Sequence, residues 1–200
     1  MKTFDVHIEG VTPLLIHRFT EKAQQPDNTR AILIQPRDPR REAEELAYID
    51  EEGHYYFSGF AIPAAMGSAG AAHKTTGSRR TLRFVVPSAV SMTSDTVTIL
   101  QGEEPAASFE VDSRPVTIPS TKGKIMRHRP RWNKWNAAFN LQVDDQLLGP
   151  EMAHQLLTEA GLSYGIGDFR PQCRGPFGRF RVTRFEEVRD AGELWANDAA

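Results

Sequence analysis

Between Lys122 and Trp135 the chain carries six cations, Lys122, Lys124, Arg127, Arg129, Arg131 and Lys134, together with Trp132 and Trp135, in fourteen positions. Cations at this density attract a phosphate backbone and release its counterions, and aromatic faces stack on unpaired bases of any identity. The composition therefore suits a single strand of nucleic acid. Trp135 shares the apolar parity of the residues that follow it and is expected in the core. Trp132 precedes the regular alternation and is expected to be accessible. His128, flanked by Arg127 and Arg129, has the neighbours of a general acid or base acting beside a phosphate, although a lone histidine is more often structural.

A second basic group, Arg170, Arg174 and Arg179, lies within the glycine-rich residues 165–180. The spacing superficially matches a dinucleotide fingerprint, but that motif needs a strand before it and a helix after it, and here the order is reversed. Two readings of the glycines stay open. They let backbone N–H groups approach a polyanion closely, or they supply the positive φ angles of a long turn.

Other chemistry lacks its residues. The sequence holds no P-loop, no His-Glu-x-x-His, no Gly-x-Ser-x-Gly and no EF-hand loop, and its six histidines follow no ligand spacing. A single cysteine, Cys173, excludes an intramolecular disulfide and any zinc site with two or more thiolates. The expectation is a binding protein and not an enzyme, without cofactor or metal.

At 200 residues, 40% hydrophobic and 25% charged, the chain is long enough for one globular domain. It has no apolar run of about 18 residues and no signal-like start, so a cytoplasmic protein without membrane association is expected. The net charge of −2 conceals a block pattern: residues 53–94 hold four basic and no acidic groups, 113–143 seven and none, and 168–184 five and one. If the blocks converge, a positive groove results on a nearly neutral molecule.

The elements that must position these residues are legible as periods. Phe4, Val6 and Ile8 alternate with polar residues as in a half-buried strand, and so do Trp135, Ala137, Phe139, Leu141 and Val143. Pro63 opens a small-residue helix to Lys74, and Gly149-Pro150 opens another that Gly161 is placed to end. Residues 82–90 and 96–100 are rich in β-branched side chains and predict a hairpin. A strand at 179–185 closes the order. This succession predicts an α+β fold, a modified ferredoxin-like (RRM-like) core within residues 1–190, with a basic β-hairpin arm, insertions at about 18–52 and 101–131, and a polar tail at 191–200.

The opening strand with Val11-Thr12-Pro13-Leu14-Leu15-Ile16, the Ile62-Pro63 entry into a small-residue helix and the C-terminal glycine-rich loop together resemble the RAMP superfamily of CRISPR-associated RNA-binding proteins. The backbone subunits of effector complexes are the nearest in style, and a phage or mobile-element relative is also similar. Here Ala64-Ala65-Met66-Gly67 stands where the family carries Gly-Ser-Ser. The resemblance implies an RRM-like core that holds RNA or single-stranded DNA in a groove, with subunits repeating along the strand as a ring or filament. Its expected contacts are Lys74, Arg79 and Arg80 after the first helix, the arm residues Lys122, Lys124, Arg127, Arg129, Arg131, Trp132 and Lys134, and the loop residues Arg170, Arg174 and Arg179. Two alternatives use the same residues: an interaction subunit that binds no nucleic acid, and a RAMP-type endoribonuclease.

Overall fold

The computed structural model describes residues 1–19, 38–75, 77, 79–117 and 123–188. Lys122, residues 20–37 of the expected insertion and the 191–200 tail lie outside them. In chain order the elements are β1 (Lys2–Gly10), β2 (Leu14–Leu15), α1 (Pro39–Glu45), β3 (Tyr56–Ser58), α2 (Ala61–Ala69), α3 (Val86–Ala89), β4 (Val90–Met92), β5 (Thr96–Thr98), β6 (Leu100–Gln101), β7 (Glu104–Pro105), β8 (Glu110–Thr117), β9 (Lys124–Trp132), β10 (Asn136–Val143), α4 (Pro150–Glu159) and β11 (Phe180–Glu187). The architecture is mixed α/β with antiparallel sheets, and no helix among the described residues is long and apolar enough to cross a membrane.

The central sheet follows from two alternating sequences. Phe4, Val6 and Ile8 of β1 stand opposite Leu141, Phe139 and Ala137 of β10, and all six are buried, so both apolar sets share one face. β11 pairs the other edge of β1. β4 pairs β10 at Leu141–Val143, and β6 pairs it at Asn136. Ile62, Ala65 and Met66 of α2 and Ala153, Leu156 and Leu157 of α4 join the same core cluster. Each larger side chain removed from water there contributes about 1.5–3 kcal/mol.

A second sheet, β2-β9-β8, contains the expected arm. Its root is fixed by apolar contact, which corrects the reading of Trp132 as accessible: the indole is 1% exposed and meets the rings of Tyr55 and Phe109 at 5.4 and 5.8 Å. Pairing of Leu14 with Trp132 makes this end of β9 part of the interior. Within the expected insertion, residues 38–52 carry α1 and pack against the core. Ala43, Leu46 and Ala47 are buried, and Arg40 of α1 lies over Phe109, 4.0 Å from the ring centroid, while donating to its carbonyl at 2.8 Å.

The predicted 82–90 strand is instead a 3-10 turn (Leu82–Phe84) followed by α3. Buried Leu82, Val86 and Ala89 fall at helical spacing, and Pro87 lacks the N–H that a strand would need. Nor does 96–100 form a hairpin with it, since β5 pairs β3 and β4 pairs β10. Gly161 does not end α4. A π-helical turn, Ala160–Tyr164, continues to Gly165 at φ 67°, and Gly161 serves close packing: a Cβ there would lie 2.4 Å from the Phe180 carbonyl oxygen. Gly161→Ala is therefore expected to lower unfolding stability by about 2–3 kcal/mol. Gly102→Ala, at φ +73° but with open space around it, should cost only about 1 kcal/mol. Urea denaturation of the two variants checks the difference.

Candidate nucleic-acid interface

Alternation along β9 divides the basic run between two faces. Arg131, Arg129, Arg127 and Ile125 stand opposite Glu110, Asp112, Arg114 and Val116 of β8, so four arginines share one face. Lys124 and His128 point the other way, with His128 Nδ1 2.7 Å from Ser113 Oγ. The grouping of Lys124 with the arginines is corrected by this parity, and so is the reading of His128 as an acid–base group between Arg127 and Arg129.

The glycine-rich loop packs on the arginine face. Asp168 forms an ion pair with Arg129, and the buried ring of Phe177 lies 4.6 Å from the Arg114 guanidinium and 6.0 Å from that of Arg131. Two clefts open beside this junction. One, of about 320 Å³, runs between Ala61, Ala64 and Ala65 of α2 and the loop residues Gly165–Asp168 and Arg170. The other, of about 490 Å³, lies beneath the arm and is lined by Arg114, Val116, Ile125, Arg127, Phe169 and Cys173. His17 and Asp168 line both, so the clefts adjoin at these two side chains. Small side chains on α2 leave the first cleft its width.

Carboxylates lie among the arginines. Asp112, its side chain 4% exposed, accepts from Arg114 Nε at 2.7 and 2.9 Å and lies 3.8 Å from Arg131. Glu42 of α1 lies 3.9 Å from Arg127. Arg129 is buried and acts as an internal strut, which corrects its assignment as an exposed contact. Burial pushes the Asp168 carboxyl up, but hydrogen bonds from His17 and the Arg129 guanidinium outweigh it and hold the group well below the usual carboxylate range. His17 Nδ1 is 3.5 Å from Asp168 Oδ2.

The glycines settle on the second of their two readings. Gly178, at φ +70°, would place a Cβ 1.8 Å from the Ile166 carbonyl oxygen, and the N–H groups of Ile166, Asp168 and Gly178 donate to Gly178, Leu15 and Pro13 carbonyls. These amides hold the loop together and do not face a ligand. Arg170 remains in the first cleft, donating to Gly167 O and Gln172 Oε1 at 2.9 and 3.1 Å, with no carboxylate at ion-pair distance among the described residues. Arg174 is exposed beside it. Arg179 instead donates to the Leu162 carbonyl. Lys74, Arg79 and Arg80 line neither cleft; Lys74 bridges Thr81, and this loop is tied to α4 by His73 and Glu159 at 2.7 Å. Lys134 is exposed at the arm's root. Arg114, His17 and Asp168 escaped the sequence reading. Arg114 had one signal, its parity with Asp112 on a strand; the other two had none.

Asp50, Glu52 and His54 bring potential metal-ligand atoms within 4.8 Å of one another. Their turn accounts for this proximity, because Asp50 Oδ1 accepts the N–H groups of both Glu52 and His54.

Because the folded-state value of Asp168 lies below its unfolded one, its contribution to stability is present above about pH 4 and is lost as pH falls through the folded value. Asp168→Asn is expected to flatten the acid limb of the stability–pH curve. At neutral pH it should cost about 3 kcal/mol, since the Arg129 charge is left buried without its partner. Thermal denaturation from pH 2 to 7 measures both.

No protein-family model matches the sequence, and comparison with curated proteins yields no match. Among solved structures, the chain is similar to Cmr6 from Pyrococcus furiosus, at 10% identity and a TM-score of 0.49, over 90% of this chain and 97% of that one. It is also similar to a chain of a type IV-B CRISPR complex, at 14% identity and a TM-score of 0.47, over 99% of each.

Proposed function

We propose that this chain binds single-stranded RNA or DNA with little sequence preference, along the two adjoining clefts. One observation carries the reading: the glycine-rich loop borders two adjoining clefts, one shared with α2 and bearing Arg170, the other shared with the hairpin arm and bearing Arg127, with His17 at both. Clefts of this kind follow a phosphate backbone without reading bases. The antiparallel order β11-β1-β10-β4, with α2 between β1 and β4 in sequence and α4 between β10 and β11, supports a modified ferredoxin-like core of the RAMP type. Copies repeating along a strand, in the cytoplasm and without catalysis, complete the proposal.

A second reading has its own observation. Arg114, Arg127, Arg129 and Arg131 each lie within 4 Å of a carboxylate, as suits a protein-binding subunit that uses no nucleic acid. Filter binding to matched RNA, single-stranded DNA and duplex across a salt series separates the two. Single strands should bind best. With about three phosphates neutralised, a log–log slope near −2 is expected, and Arg170→Gln should reduce its magnitude by about 0.7. Absence of binding at low salt selects the second reading. Light scattering with a long strand should show assemblies larger than one chain, and a particle that stays monomeric on the strand removes the repeating array.

A further inference from the structure

Arg114 is poorly suited to holding phosphate. Its Nε is bound to both oxygens of the buried Asp112 carboxylate, so its charge is already matched. The guanidinium lies over the ring of Phe177, 4.6 Å from the centroid, and that ring is buried. The ion pair sets its position and the ring sets its plane. Yet the side chain is 38% exposed and lines the cleft beneath the arm. A guanidinium with one face on a phenyl ring and the other toward an open cleft is a platform for a second flat ring. Val116, Ile125 and Phe169 provide apolar walls, and about 490 Å³ is ample for one base.

We propose that this cleft takes one unpaired nucleobase of the bound strand, stacked on the outer face of Arg114. The proposal rests on the nucleic-acid reading above and deepens it. Arg170 and the exposed loop cations hold phosphate, while a neutralised guanidinium holds a base. Every base has a π face, so the site is compatible with weak sequence preference. It is distinguishable from an electrostatic contact because a guanidinium already paired with Asp112 releases no counterions from the strand.

The test is a two-by-two cycle of wild type and Arg114→Lys, which keeps the charge for Asp112 and loses the plane, against an oligonucleotide and its abasic counterpart. Wild type should bind the abasic strand about tenfold more weakly. The lysine variant should bind the normal strand about tenfold more weakly, bind the abasic strand as wild type does, keep the wild-type salt slope, and remain folded at the assay temperature by circular dichroism despite a lowered melting temperature. A strand carrying 2-aminopurine should be quenched on binding wild type, a readout that needs no variant. Equal losses on both strands, or an abasic strand bound as tightly as the normal one, would overturn the stacking site while leaving the nucleic-acid reading intact. Displacement of the strand by adenosine monophosphate alone would assign the cleft to free nucleotides instead. Failure of wild type to bind any strand at low salt would remove both readings together.

Discussion

The ion pair between Arg129 and Asp168 ties the arm to the glycine-rich loop where the two clefts adjoin. Arg129 is buried in the middle of β9, and Asp168 sits at the turn of the glycine-rich loop, where its Oδ1 also accepts the Phe169 N–H at 2.8 Å. A buried guanidinium without a counter-charge is strongly unfavourable, so the arm and loop are obliged to lie together. Everything that defines the clefts depends on this contact: Phe177 comes under Arg114, Phe169 becomes a wall, and Asp168 comes within reach of His17. The pair contributes less through its net energy than through the alternatives that it forbids.

Two of the three basic blocks meet, 113–143 and 168–184, and acidic residues meet with them, whereas the cations of 53–94 line neither cleft. Asp112 and Glu42 come from different segments, both outside the basic blocks, yet they lie beside the arginines of β8 and β9. Counting charges along the chain therefore overstates the field of the arm. The cations without a carboxylate partner among the described residues, such as Arg170, Arg174 and Lys124, are fewer and sit at the margins. Arginine here has two physical uses, one as a charge free to meet an anion and one as a rigid plane fixed by an acid and an aromatic ring.

Packing at the glycine-rich loop explains why so many glycines are needed where the amides of Ile166, Asp168 and Gly178 already donate to carbonyls of the chain. Its turns pass within contact distance of β2 and of each other, and a Cβ at Gly175 would fall 1.7 Å from the Phe169 carbonyl oxygen. On the opposite wall, Ala61, Ala64 and Ala65 make α2 narrow where it borders the cleft. The cleft is thus a consequence of small residues on one side and of a tightly folded loop on the other.

Periodicity alone determined the two central strands, the helix at α4 and the position of Trp135 in the core, because burial on one face of a regular element leaves a repeating signature in the chain, and Pro63 with its run of small residues marked α2. The prolines and the Lys-Gly-Lys turn between residues 105 and 131, not a period, pointed to a basic arm between β7 and β10. Tertiary structure decided the rest. Trp132 is buried because β2 and the Tyr55–Phe109 cluster close over it, and residues 82–90 coil because their apolar positions must face α2. Alternation puts Arg127, Arg129 and Arg131 on one face of β9, but the register of β8 against β9 decides that Asp112 and Arg114 join them, and a one-residue slip would have set Ser113 among them instead. The partnership of His17, Arg129 and Asp168 joins three separate segments of the chain, and even its nearest pair, Arg129 and Asp168, is 39 positions apart. No local pattern encodes it, since only the folding of the loop onto the arm brings those charges within reach of one another.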